Sequence, residues 1–155
     1  IIDLDTGDTR TYLDGVDVSS EIRTPEISKG VTSVCEISEV RTKLVELQRE
    51  MSRKRNVILD GRDIGTVVFP NADLKFFMIA DIGIRAERRL KELKEKGIEI
   101  SLQEVKEDIE RRDDRDSSRL NSPLRPALDS IFIDTSKLSI EEQAELIIEH
   151  IKKRL

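Results

Sequence analysis

The residues most able to do chemistry in this chain are arginines and aspartates in two short segments. The denser is Glu110-Arg111-Arg112-Asp113-Asp114-Arg115-Asp116-Ser117-Ser118-Arg119. If a helix starting at Ser101 runs through it, Arg112, Asp116 and Arg119 fall at i, i+4 and i+7 on one face, with Arg115 beside them. All four cations in the run are Arg although Lys is common elsewhere. A planar guanidinium fork grips phosphate oxygens two at a time, so an all-Arg cluster leans towards anion recognition. A charge run alone also fits a solvated helix face laced with ion pairs of a few tenths of a kcal/mol each. Asn121, Ser122, Pro123 and Pro126 then end the helix, and a helix-to-loop arm carrying several Arg is what a lid over polyphosphate requires.

The second segment is Asp60-Gly61-Arg62-Asp63-Ile64-Gly65. Gly and Asp are expected at any strand end followed by a turn. The specific alternative is that the glycines allow a tight bend, presenting Arg62 as a cation and Asp63 as an acceptor. A carboxylate can accept from the exocyclic amine of cytosine. Arg41 and Arg23, taken singly, fit surface positions. Cys35 reads as a small buried apolar residue, and His150 as a boundary residue of the last helix.

Composition narrows the chemistry further. The 155 residues include 27 Lys+Arg and 32 Asp+Glu, a formal net charge of −5, with 37% hydrophobic and 3% aromatic residues. That balance argues against a general nucleic-acid coat protein. The sequence has no apolar run near the ~18 residues of a membrane span and no signal-peptide pattern. One Cys and one His make a Cys/His metal site untenable, and the lone Cys fits a reducing, cytoplasmic setting. No metal ligands are assigned.

The elements that must position these residues follow from pattern. Residues 1–18 read as a small β element with turns at Asp5-Thr6-Gly7-Asp8 and Asp14-Gly15. Ser19 or Ser20 can cap a helix, and Thr24-Pro25-Glu26 marks another helix start. From about 38 to 53, Val40, Leu44, Leu47 and Met51 recur at helical spacing. Three apolar runs follow: Val57-Ile58-Leu59, Leu74 to Ala80 (apolar on both faces apart from Lys75), and Ser130 to Asp134. They predict parallel strands covered on both faces. Helical stripes alternate with them, at Ala86, Leu90 and Leu93 and at Ile140, Ala144, Ile147 and Ile151. Capping boxes are predicted at Ser101-x-x-Glu104 and Ser139-x-x-Glu142. Strand–helix alternation means α/β. A ligand site belongs outside the carboxyl ends of the strands, where the 60–65, 80–81 and 134–136 turns line one rim.

Together the segments resemble the bacterial cytidylate kinases. The carrying stretches are 13–28 (LDGVDVSSEIRTPEIS), Val40-Arg41, 59–73 (LDGRDIGTVVFPNAD), 110–119 and 138–142. The resemblance implies an α/β, P-loop nucleoside monophosphate kinase-like parallel sheet with flanking helices, incomplete, with a small antiparallel β element at its N-terminus. Residues 1–35 would form part of the monophosphate-binding subdomain and 36–155 the remaining core, with a lid at about 112–126. It implies transfer of the γ-phosphoryl of ATP to CMP or dCMP with Mg²⁺. Arg41, Asp63 and a hydroxyl at Thr32 or Ser33 would recognise cytosine, Arg62 would hold the CMP phosphate, and Asp60 would close that pocket. Arg112 and Asp116 would meet the pentose and phosphates, and Arg119 would reach the CMP. Arg112, Arg115 and Arg119 would surround the transferred group, with Arg88 on the ATP side.

The family's phosphate cradle, Gly-x-x-x-x-Gly-Lys-[Ser/Thr], does not occur in the 155 residues. The chain therefore aligns with the part of the family that follows the P-loop, and is expected to be inactive without it. A sheet short of one strand predicts weak stability or self-association, whereas the whole protein is expected to be monomeric. The alternatives are a non-catalytic nucleotide-binding module of the same family, a different monophosphate kinase, or an interaction domain.

Overall fold

A computed structural model describes residues 10–24, 26–27, 30–31, 34, 37–54, 56–95, 97–119 and 121–154. The calls on Ile1–Leu4, Thr32, Ser33 and Cys35 lie outside them. The chain divides into two compact units, Ile1–Met51 and Ser52–Leu155.

In the first unit, β1 (Tyr12–Leu13) and β2 (Val16–Asp17) pair antiparallel in the register Tyr12↔Asp17 and Leu13↔Val16. Asp14 and Gly15 both adopt positive φ, 50° and 84°, as a two-residue hairpin of type I′ demands. The predicted cap at Ser19 or Ser20 does not form. Ser19 Oγ donates to Asp17 and accepts the Thr11 amide, while Ser20 precedes the short 3₁₀ turn Glu21–Arg23 without a capping bond. The helix start at Thr24 is as predicted: its hydroxyl accepts the Ile27 amide at 3.4 Å. Helix α1 (Ser38–Ser52) buries none of its residues. The helix lies where the spacing predicts it, and its apolar stripe is open to solvent at Leu44, Leu47 and Met51.

The second unit is built on two parallel strands, β3 (Phe76–Ile79) and β4 (Ile131–Asp134), in the register Phe76↔Ile131 to Ile79↔Asp134. Parallel strands need a long crossover, and it is supplied by α2 (Ile82–Glu95) and α3 (Leu102–Ser118), which pack on each other. Helix α4 (Ile140–Lys152) follows β4. Among the described residues, Val68, Ala86, Val105 and Ile133 are the buried apolar ones. Both predicted capping boxes are present: each Ser hydroxyl accepts its N3 amide at 3.2 Å, and each Glu carboxylate takes the Ser amide.

Three expectations are corrected. Residues 57–59 form no strand, and Ile58 is 96% exposed, because no ladder runs beside them among the described residues. The sheet is not covered on both faces: Met78 and Phe132 are at least half exposed. On α4 the inward stripe is rotated. The ring of His150 meets Phe76 edge-on at 5.9 Å, turning Ile147 and Ile151 inwards and leaving Ile140 and Ala144 exposed.

A further element had no periodic signature. Ile64–Val68 is a single π-helical turn, in which the Asp63 carbonyl accepts the Val67 amide at 2.8 Å and Phe69 N–H donates to Ile64 at 2.7 Å. Such turns cluster at functional sites. Lys75 supports it from below. Its side chain is 7% exposed, and Nζ lies 2.8 Å from both Asp129 oxygens and also donates to the Pro70 carbonyl. A Cβ on Gly65 would come within 3.2 Å of the Lys75 stem, so the turn sits directly on that side chain.

Loss of either capping hydroxyl, Ser101→Ala or Ser139→Ala, should destabilise the chain by about 1 kcal/mol. Urea unfolding of the two variants measures this, and an unchanged midpoint would show that the helix start is held by packing alone.

Candidate functional site

Asp116 lies on the last turn of α3 and its side chain is only 4% exposed. A carboxylate so far from water is tolerable only when its oxygens are paired. Arg119 approaches Oδ1 at 2.5 Å, Arg62 Nε approaches Oδ2 at 3.3 Å, and Arg112 Nε stands 3.9 Å from Oδ2. The i, i+4, i+7 face read from the sequence is therefore real. Arg62, read from a separate motif, joins it across 54 residues. The aspartate is sealed behind arginine side chains that remain 28–65% exposed. The Arg119 Nε is buried and makes no hydrogen bond. After Arg119 the chain turns back, with Ser122 at φ 56°, and the Leu124 amide donates to the Asp116 carbonyl at 2.7 Å.

One turn earlier, Asp113 receives both terminal nitrogens of Arg85, on α2, at 2.5 and 2.9 Å. That bond holds the Asp113 carboxyl below its ordinary range, and the charges of Arg85, Arg112 and Arg62 reinforce the shift against partial burial. The Arg85 guanidinium is correspondingly held more firmly protonated. The sequence placed Asp113 in the charge run but gave no sign of its partner 28 residues away.

The remaining candidates are distributed as follows. Asp63 is 7% exposed at the start of the π turn, and Asp60 is exposed before it. Arg115 is exposed and joins none of the pairs around Asp116. Arg88 ties α2 to the segment after β4, donating to the Thr135 carbonyl at 2.7 Å and to Thr135 Oγ1 and the Leu138 carbonyl at 3.4 Å. Arg41 belongs to the first unit, on α1. Of the expected rim, the 80–81 and 134–136 turns meet at the carboxyl ends of β3 and β4, where Ser136 Oγ accepts the Asp81 amide at 2.8 Å and donates to Asp134 at 2.6 Å; the 60–65 turn follows no strand. Among the described residues no group of three or more His, Cys, Asp or Glu could hold a metal ion.

Asp113 sets a pH dependence. Its folded pKa is depressed, so its pairing stabilises the chain above the unfolded carboxylate value of about 3.9 and is lost as pH falls through the lower folded value. Asp113→Asn should therefore lower the unfolding midpoint at pH 7, and the gap from the parent should close below about pH 4. A gap independent of pH would remove the ionised pair as its cause.

Comparison with known proteins places the chain in a family. The cytidylate kinase family model matches residues 2–153. The chain is 49% identical over 148 residues to a cytidylate kinase of Lactobacillus gasseri, covering 96% of this chain and 64% of the relative. It is 49% identical over 151 residues to that of Caldanaerobacter subterraneus, covering 97% and 67%. It is 51% identical over 138 residues to that of Cytophaga hutchinsonii, covering 89% and 59%. The chain thus spans about two-thirds of the length of the curated relatives it matches. With nearly every residue inside the family match and about half of the aligned residues identical in these relatives, the chain belongs to the cytidylate kinase family.

Proposed function

We propose that this chain carries the monophosphate-binding and lid portion of a kinase that moves the γ-phosphoryl of ATP to CMP or dCMP. The observation that carries the reading is the convergence of Arg62, Arg112 and Arg119 on Asp116, with the buried Arg119 Nε making no bond. In phosphoryl transfer an enzyme mainly positions the reactants and stabilises charge spread over phosphate oxygens. Arginines are suited to both tasks, and no catalytic His or Cys is required.

In this reading Arg62 holds the CMP phosphate. Arg112 and Arg119 close on it from the lid at about 112–126, and Arg115 extends the lid's positive charge towards the transferred group. Asp116 orients the guanidiniums from behind and serves the pentose. Asp63, Arg41 and the hydroxyl of Thr32 or Ser33 recognise cytosine, Asp60 closes that pocket, and Arg88 acts on the ATP side. Residues 1–35 belong to the monophosphate-binding subdomain. Mg²⁺ enters with ATP as co-substrate rather than as a resident ion. The Gly-Lys phosphate cradle is not among the 155 residues, so transfer itself requires a cradle supplied from outside them. Cytoplasmic placement fits the single Cys, and no helix among the described residues is long and apolar enough to cross a membrane.

Calorimetric titration of the chain with CMP, UMP, AMP and MgATP tests the proposal. CMP should bind in preference to UMP and AMP. Arg62→Ala and Arg119→Ala should each weaken it roughly 10- to 100-fold, the worth of one hydrogen bond to a charged group. Equal binding of UMP or AMP would sink the cytosine assignment, and no CMP binding would sink the site. The exposed Ile58, Met78, Phe132 and Ile140 should make the isolated chain self-associate in sedimentation velocity. A monomer with a sharp unfolding transition would refute that.

A further inference from the structure

We propose that Arg85 is a positioning residue: it occupies both oxygens of Asp113, so that this carboxylate cannot capture Arg62 and Arg112. The inference rests on reading those two arginines as phosphate ligands. Among the described residues, Arg85–Asp113 is the ion pair that joins α2 to α3. The pairs around Asp116 involve no residue of α2, and Arg89–Glu92 and Arg111–Asp108 are exposed i, i+3 contacts within one helix. A guanidinium fork set square on a carboxylate fixes both distance and plane, and here it engages both acceptor oxygens at 2.5 and 2.9 Å.

The placement of Asp113 makes this matter. It is the neighbour of Arg112 in sequence and lies one helical turn before Asp116. Its carboxyl feels the charges of both Arg112 and Arg62. Arg112 is held loosely, 3.9 Å from Asp116, and Arg62 at 3.3 Å uses only its Nε. A bare carboxylate beside two such guanidiniums would compete with a phosphate for the same donors. With its oxygens filled by Arg85, Asp113 still lowers the mutual repulsion of the cations without chelating them. Four guanidiniums (Arg62, Arg85, Arg112 and Arg119) thus surround two carboxylates, which leaves a surplus of positive charge in the cluster.

A double-mutant cycle separates this from a plain helix–helix brace. CMP affinity is measured by calorimetry for the parent, Arg85→Gln, Asp113→Asn and the double variant, each at a temperature where it is folded. Arg85→Gln should bind CMP about tenfold more weakly, because Asp113 is then free to take Arg62 or Arg112. Asp113→Asn alone should stay within about threefold of the parent, and adding it to Arg85→Gln should restore most of the affinity. A brace would make the three variants equally weak, and that result overturns the proposal. Should Arg85→Gln fail to fold, Arg85→Lys keeps the charge but fills one oxygen, and should show a smaller loss again rescued by Asp113→Asn. The same variants without ligand give an independent reading in the guanidinium N–H resonances of Arg62 and Arg112. These should move on Arg85→Gln and return in the double variant, and unmoved resonances overturn the proposal. If the parent fails to bind CMP, the functional reading falls while the resonances still decide the role of Arg85.

Discussion

The second unit is organised around a carboxylate that can exist in its place only because arginines surround it. Removing an ionised aspartate from water costs several kcal/mol, recovered only with paired oxygens and good geometry. Asp116 meets that condition with Arg119 on one oxygen and Arg62 and Arg112 on the other. Its backbone carbonyl is taken as well, by the amide of Leu124. One residue therefore fixes three things together: the end of α3, the return of the chain after it, and the segment that enters the π turn. Any rearrangement that draws one of these away leaves a buried charge behind.

The sheet contributes little area but supplies the frame. Only four residues of each strand pair, yet both strands feed a turn at their carboxyl ends, and those turns are joined by Ser136. At the opposite end Lys75 acts as a second pin. Its ammonium holds Asp129, which lies just before β4, and the Pro70 carbonyl, just after the π turn. A buried lysine is stable here because its donors have acceptors. It connects the segment around the π turn to the strands. Rigid elements thus hold short irregular segments that carry the chemistry, the usual division of labour in such folds.

What the sequence made legible were the features governed by local rules. Both Ser-x-x-Glu capping boxes, the Asp14-Gly15 hairpin turn and the Arg112/Asp116/Arg119 face depend on residues within a turn or two of each other, and each is present. The motif of residues 60–65 was legible as a turn, but the π-helical form of the segment that follows was not, since five residues carry no period. Pairings across 28 to 54 residues, Arg85 with Asp113 and Lys75 or Arg62 with their aspartates, are set by how helices and strands pack. In a chain with 38% charged residues, composition offers too many equivalent partners to choose among. The exposed stripes of α1 and α4 and the unpaired run at 57–59 fail for a related reason. Apolar spacing states which face wants cover, and only the packed neighbours determine which face receives it.

The choice of arginine over lysine lets a buried aspartate and the proposed anion site share the same cations. An ammonium is a point charge, and one that closes on Asp116 has little directional capacity left for a second anion. A guanidinium has five donors pointing along separate edges. Arg62 and Arg112 meet Asp116 through Nε, which leaves the terminal nitrogens directed elsewhere. Arg119 does the reverse, using Nη2 and keeping a buried Nε without a bond. Each cation can therefore remain tied to the protein by one edge while another meets phosphate. In the proposed function the arginines are oriented before the ligand arrives, so the ordering cost that flexible side chains would otherwise impose on binding is met in folding.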